Sequence, residues 1–294
     1  MKIGGISLFD TAIIGTGPAG LSAALTLKMR GKDIIWFGSP QYSGKIEKSE
    51  KIGNYPGLGM ISGPELNERF RAHAEALGLK ATDKMVTSVS KLKEHFMILA
   101  DNEVFEARTV LLSTGVISAK PFPGEEKLLG RGVSYCATCD GMFYRGKTIA
   151  VFCGAKRYEH EVDYLAEIAK KVYLLPAYRD CNAKGENIEM ITSPIKEIKG
   201  ENRIQTILLG NGTELSVDGF FCLRGAIAPT SLMPGLMLEG PHIVTDRQMA
   251  TNIPGCFAAG DCTGAPYQIA KSVGEGNVAA HSILEALAEI NEKK

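Results

Sequence analysis

The feature that most constrains the fold is a glycine turn set between a strand and a helix. Thr11-Ala12-Ile13-Ile14 reads as a short apolar strand. It runs into Gly15-Thr16-Gly17-Pro18-Ala19-Gly20 and then into Leu21-Ser22-Ala23-Ala24-Leu25-Thr26-Leu27, a good helix former. In this strand–turn–helix context a G-x-G-x-x-G run is a dinucleotide-binding fingerprint. Gly15 permits the tight turn, Gly17 lets backbone approach a pyrophosphate, and Gly20 lets the helix pack on the strand. Pro18 and Ala19 complete the turn, and the amides at the helix start hold the phosphate charge.

A second stretch carries chemistry: Tyr135-Cys136-Ala137-Thr138-Cys139-Asp140-Gly141. Two thiols three positions apart at the start of a helix can close a small disulfide, and a helix N-terminus favours the thiolate. Asp140 follows directly, placed to carry the proton that a sulfur gains or loses. A zinc half-site would need a second pair of soft ligands at comparable spacing. Cys153, Cys181, Cys222, Cys256 and Cys262 are scattered and form no second C-x-x-C, so no metal site is expected. A structural disulfide is unusual in a chain without export signals. Cys136 and Cys139 are therefore expected to do redox work, with Asp140 as the proton carrier.

The chain has 294 residues, long enough for two domains at roughly 150 residues each. Its 33 basic residues balance 33 acidic ones, which argues against a nucleic-acid or membrane-surface partner. Met1 to Asp10 lacks the pattern of a signal peptide. No apolar run approaches the ~20 residues that span a bilayer. The expectation is a cytoplasmic protein with no nucleic-acid and no membrane partner.

Further along, a strand over Asp33–Phe37 ends in Gly38-Ser39-Pro40 where an acidic group for the ribose hydroxyls is usual; Ser39 is a candidate by reach. A glycine- and proline-rich excursion follows, through Gly44, Gly53-Asn54-Tyr55-Pro56-Gly57 and Gly63-Pro64, a functional loop or a surface loop with turn chemistry. A helix is expected over Glu65–Gly78 and a small antiparallel sheet around Val86–Val89, Phe96–Leu99 and Val104–Arg108. Val110-Leu111-Leu112 forms another buried strand ahead of Ser113-Thr114-Gly115. Pro121-Phe122-Pro123-Gly124 reads as a domain crossing, and Pro241 as the return. Between them, a strand over Thr148–Phe152 and a helix over Glu159–Lys171 repeat the opening pattern. Gly255-Cys256-Phe257-Ala258-Ala259-Gly260-Asp261 and a closing helix from Gly276 complete the chain. Asp261 either holds a ribityl chain or caps a helix. The expected architecture is α/β, with two Rossmann-like three-layer dinucleotide-binding domains. One is discontinuous, over 1–118 and 242–294; the other is central, over 119–241.

Together, Gly15-Thr16-Gly17-Pro18-Ala19-Gly20, Asn54-Tyr55-Pro56-Gly57, Ser113-Thr114-Gly115, Gly132-Val133-Ser134-Tyr135-Cys136-Ala137-Thr138-Cys139-Asp140-Gly141 and Ala259-Gly260-Asp261 resemble the low-molecular-weight thioredoxin reductases over nearly the whole chain. The resemblance implies a homodimer whose discontinuous domain binds FAD and whose central domain carries the disulfide and, in the family, NADPH. The implied FAD contacts are Gly15, Gly17, Pro18, Ala19, Gly20, Ser39, Asn54, Thr114, Gly115, Gly260, Asp261, Gln268 and Ile269. Cys139 is implied to face the flavin, Cys136 to attack thioredoxin, and Asp140 to donate and accept the proton.

The family's nicotinamide turn, G-x-G-x-x-A, reads Cys153-Gly154-Ala155-Lys156-Arg157-Tyr158 here, with every small-residue position replaced. Its His-Arg-Arg run for the 2′-phosphate reads Leu175-Pro176-Ala177-Tyr178-Arg179. The family's Tyr-Arg-Gln run after Gly260-Asp261 becomes Tyr267-Gln268-Ile269. These departures resemble the ferredoxin-dependent flavin thioredoxin reductases, which implies reduced ferredoxin as donor and thioredoxin as acceptor. A rotation between domains, hinged near Pro121 and Pro241, is expected to let one disulfide meet both. Lys45, Lys48 and Lys51, or Lys156 and Arg157, are either a ferredoxin-docking surface or solvated cations. An NAD(P)H-dependent reductase with an altered pocket, a different thiol partner, and a non-catalytic redox-sensing flavoprotein remain alternatives.

Overall fold

Alternating apolar residues open the chain's main sheet: strand β1 (Lys2–Ile3) lies antiparallel on β2 (Ile6–Ile14). The computed structural model describes residues 2–3, 6–101, 103–115, 121–135, 137–224 and 229–292. It resolves into two units, Met1–Ser118 with Leu232–Lys294, and Ala119–Ser231.

In the first unit, helix α1 (Pro18–Met29) carries the chain from β2 to β3 (Ile34–Phe37), which pairs parallel with β2. A short helix α2 (Gly44–Glu47) and helix α3 (Gly63–Ala76) follow. Helix α3 starts at a Ser62 cap whose hydroxyl accepts from the Glu65 amide at 3.3 Å. Strand β5 (Phe96–Ala100) runs antiparallel between β4 (Val86–Lys91) and β6 (Glu103–Leu112). The two expected strands around Val104–Arg108 and Val110–Leu112 are one. They looked separate because Arg108 and Thr109 interrupt the apolar run. Arg108 is paired with Asp10 at 2.6 Å, and the Thr109 hydroxyl lies 2.9 Å from that of Thr11, so the strand carries both polar residues through its interior with a partner each.

The second unit opens with helix α4 (Glu125–Leu128), strand β7 (Val133–Ser134) and helix α5 (Ala137–Asp140). Strand β8 (Thr148–Cys153), helix α6 (Glu159–Ile168) and strands β9 (Lys171–Pro176) and β10 (Ile188–Met190) come next. Strands β11 (Ile195–Lys199), β12 (Thr206–Leu209) and β13 (Glu214–Ser216) form a separate antiparallel sheet. With β14 (Gly219–Leu223) the main sheet of this unit has the order β10-β9-β8-β14-β7, parallel throughout, and helix α7 (Pro229–Leu232) follows. The helix expected to reach Lys171 stops at Ile168. Ala169 turns extended, and Lys171 heads β9, whose Val172 and Leu174 are fully buried.

Back in the first unit, β15 (Leu238–Glu239) and β16 (His242–Ile243) form a hairpin. Pro241, expected at the return crossing, lies in its turn, and residues 232–241 belong to the first unit. Strand β17 (Cys256–Ala258) pairs parallel with β6, completing a seven-stranded sheet. The closing helix α8 (Ile269–Glu292) begins well before Gly276. Gly276 is an interior contact: a β-carbon there would collide with the Ala19 carbonyl of α1. Ala23, Ala24 and Leu27 of α1 and Ala279, Ala280, Ile283 and Leu287 of α8 join the same buried cluster. Among the described residues, no helix is long and apolar enough to cross a membrane.

Candidate functional site

Three loops leave the carboxyl ends of parallel strands β2, β6 and β17, the place where open α/β sheets bind ligands. The turn after β2 is shaped by backbone contact. Gly15 has φ +119°, and a β-carbon there would overlap the Ser113 carbonyl. The Gly15 carbonyl accepts hydrogen bonds from the Trp36 indole at 2.8 Å and the Ser113 hydroxyl at 3.2 Å. A β-carbon on Gly20 would strike Gly15 itself, so helix and turn are in contact. Gly17 differs: a β-carbon there meets nothing within 4 Å, and no side chain caps α1. An open glycine ahead of an uncapped helix start suits a pyrophosphate, so these residues fit a dinucleotide.

The β17 loop meets this turn, with a β-carbon on Gly260 only 2.9 Å from that of Ala19. It is held from α8. The Lys271 ammonium donates to the Gly260 and Gly264 carbonyls, both at 2.8 Å, and to the Thr263 hydroxyl at 2.9 Å. Glu275 accepts from the Gly260 amide at 2.8 Å and pairs with Lys271 at 3.0 Å. Asp261 does not cap the short helical turn it begins. Its carboxylate takes the Lys45 ammonium at 3.0 Å and the Ser272 hydroxyl at 3.3 Å. Lys45, read from the sequence as either a docking cation or a solvated one, is thus engaged at the site.

Other expected contacts divide. Asn54 donates to Gln268 at 2.8 Å, bringing the excursion and the α8 approach together. Gly115, with φ +71°, follows Thr114 directly off β6. Ile269 opens α8 and packs on the Ile46–Ile52–Ile61–Leu66 cluster. The Ser39 hydroxyl is committed to Gln41 at 2.6 Å. Sequence reasoning gave no role at this site to Trp36, Lys45, Lys271 and Glu275. Only the i,i+4 spacing of the last two was a readable signal.

The second glycine turn is filled by side chains. From Ala155, extended at φ −162°, the chain enters a tight turn over Lys156–Tyr158 before α6. Tyr158 is buried; its hydroxyl accepts from Arg157 at 2.7 Å, and the guanidinium lies 4.8 Å from the ring centre. The Tyr178 hydroxyl donates to Glu159 at 2.7 Å and lies 3.4 Å from the Cys181 sulfur and 3.6 Å from that of Cys153. Glu159 also accepts from the Asn182 amide at 3.1 Å. These two hydrogen bonds hold its carboxyl below the usual range, so a charged carboxylate sits in the first turn of α6. That is where a pyrophosphate would need the amides.

Ala137–Asp140 forms the short helix α5, and Asp140 is half-buried. Cys136 and the side chains of Thr138 and Cys139 lie outside the described residues. The next segment, Gly141–Tyr144, turns against α6: a β-carbon on Gly141 would meet Ile168 at 3.0 Å and Tyr164 at 3.1 Å. Four other thiols are buried and poor nucleophiles. Burial pushes up Cys153 and Cys222, and raises Cys256 to about 12 and Cys262 to about 11.

Two strand–turn–helix units, one open and one plugged, with a C-x-x-C segment in the second, define a disulfide oxidoreductase of the dinucleotide-binding fold. The family described as pyridine nucleotide-disulphide oxidoreductase matches residues 9–276, and the chain belongs to it. It is a flavin disulfide oxidoreductase of the thioredoxin reductase family. It is 36% identical to the thioredoxin reductase of Helicobacter pylori over 308 residues, covering 95% of this chain and 99% of that protein. The thioredoxin reductase of Listeria innocua is 31% identical over 305 residues, covering 97% and 96%. A crystal structure of a ferredoxin-flavin thioredoxin reductase from Clostridium acetobutylicum superposes with a TM-score of 0.89 at 40% identity, covering 98% of this chain and all of that one.

Proposed function

We propose that this enzyme binds FAD in the first glycine turn and reduces thioredoxin through Cys136 and Cys139, with reduced ferredoxin rather than NAD(P)H as electron source. The observation that carries the choice of donor is the plugged second turn. Glu159 puts negative charge at the start of α6, and Tyr178 and the Arg157–Tyr158 pair take up space a nucleotide would need. A dianionic pyrophosphate brought there would meet like charge and lose the helix amides. The 40% identity to a ferredoxin-flavin enzyme supports the same reading.

The parts follow. FAD, when bound, takes electrons singly and releases them as a pair, which disulfide reduction requires. Gly15, Gly17, Pro18, Ala19 and Gly20 would hold its pyrophosphate. Lys271 and Glu275 keep the Gly260–Asp261 loop against that turn, with Asp261 offered to the ribityl chain through exchange of its Lys45 partner. Thr114, Gly115, Asn54 and Gln268 lie on loops that would line the ring. In the second unit, Cys139 receives electrons, the Cys136 thiolate attacks the thioredoxin disulfide, and Asp140 carries the proton. A rotation between the units would let the pair serve both reactions. The working form is proposed to be a homodimer, readable by light scattering.

The test is anaerobic mixing of the FAD-loaded enzyme with NADPH, NADH or a reduced ferredoxin. Flavin bleaching within seconds by ferredoxin, with no bleaching by either nicotinamide, is expected. Rapid bleaching by NADPH would return the protein to the nicotinamide-dependent reductases.

A further inference from the structure

We propose that Glu125, Tyr135 and Arg224 form a buried clamp that positions the Cys136–Cys139 segment, making them positioning residues for the redox pair. The proposal rests on the assignment of that pair as the working dithiol.

Glu125 is 0% exposed and Arg224 is 7% exposed. A carboxylate at such depth costs several kcal/mol unless its oxygens are occupied. Here both are. One accepts from the Phe122 amide at 2.8 Å. The other takes the Tyr135 hydroxyl at 2.7 Å and the Arg224 guanidinium, which also lies 5.5 Å from the centre of the Phe122 ring. Tyr135 additionally hydrogen-bonds the Ser231 side chain; burial first, and the Glu125 charge second, push its phenol up, so it remains a neutral donor.

The positions of these partners along the chain give the cluster its meaning. Tyr135 directly precedes Cys136 and follows β7. Phe122 stands just inside one crossing between the units and Ser231 at the other. Arg224 ends β14, the strand between β7 and β8. The carboxylate therefore ties the residue before the redox pair to one crossing and to the sheet, and the Tyr135 side chain itself reaches the other crossing at Ser231. A buried ion pair contributes little stability over a well-packed apolar replacement, so its physical return is fixed position. Two thiols three positions apart in sequence close a disulfide in proportion to their effective concentration, which an anchor at the preceding residue would raise.

Tyr135→Phe removes one hydroxyl and keeps the ring. The holoenzyme and this variant would be equilibrated with graded ratios of reduced and oxidised dithiothreitol, alkylated, and Cys136 and Cys139 occupancy read by peptide mass spectrometry. This readout bypasses flavin, ferredoxin and thioredoxin. The variant is expected to destabilise the disulfide about tenfold, an upward shift of about 30 mV for a two-electron couple. Unchanged far-ultraviolet circular dichroism would show that the fold is kept. Because Glu125→Gln alone strands a buried guanidinium, the double variant Glu125→Gln/Arg224→Met serves as the second probe and is expected to shift the couple in the same direction. A constant within twofold of the parent in both variants, or a more stable disulfide, overturns the clamp. A parent with no reversible Cys136/Cys139 couple removes the redox assignment itself, and the clamp's role with it.

Discussion

The two glycine turns occupy equivalent places in two strand–turn–helix units and have been filled in opposite ways. In the first, backbone packs against backbone and the one unobstructed position, Gly17, faces open space. In the second, glycine positions carry Cys153 and Ala155, and the space is occupied by the Arg157–Tyr158 pair and the Tyr178–Glu159 hydrogen bond. The difference teaches that a binding turn needs an unspent helix terminus as well as a narrow backbone. Where a side chain of the protein spends that terminus, the fold persists without a free helix start to offer a phosphate.

The comparison breaks most readily at Gly15. Gly15→Val forces a branched side chain into a positive φ and onto the Ser113 carbonyl, with an expected loss on the order of 3–5 kcal/mol. Flavin content by absorbance and thermal melting would show it; a variant that keeps both removes the backbone-contact account of the first turn. Next in size is the reverse experiment. Cys153→Gly, Ala155→Gly, Tyr158→Ala, Glu159→Ala and Tyr178→Ala together should create measurable NADPH binding by titration calorimetry where the parent gives none. Continued silence at millimolar nucleotide would mean that something other than the plug excludes it. Lys271→Met should cost about 1–3 kcal/mol, since two carbonyls and Glu275 lose a charged partner, read as a lowered urea midpoint. Gly17→Ala should leave stability within about 0.5 kcal/mol and weaken FAD, a split that sharpens the contrast with Gly15.

The smallest effect concerns the buried thiol in the loop after β17. Burial raises Cys262 from 9.0 to about 11. A thiol kept protonated by the fold contributes fully below about pH 9, where the unfolded chain is also protonated. The contribution is lost as pH rises towards about 11, because only the unfolded thiol ionises. Cys262→Ala should therefore flatten the fall of unfolding free energy over that interval, and an unchanged slope would refute the assignment.

Much of this was legible in order of residues. The spacing of Gly15, Gly17 and Gly20 after an apolar strand, and the loss of that spacing at Cys153, Ala155 and Tyr158, required no coordinates. What misled was polarity inside β6, where Arg108 and Thr109 looked like an end, and glycine inside α8, where Gly276 looked like a start. Both are local signals overridden by partners distant in the chain, Asp10 and Thr11 for the strand and Ala19 for the helix.

The sequence by itself determined the two-unit α/β plan, the open turn and the altered turn, because each depends on short-range spacing and on backbone geometry only certain residues allow. Only the tertiary structure decided that Asp261 faces Lys45, that Lys271 and Glu275 carry the loop, that Glu159 fills a helix start, and that Glu125 gathers Phe122, Tyr135 and Arg224. Those outcomes depend on which polar groups are brought together once water is excluded. A buried charge takes whichever partner the fold delivers, and linear order does not specify that partner.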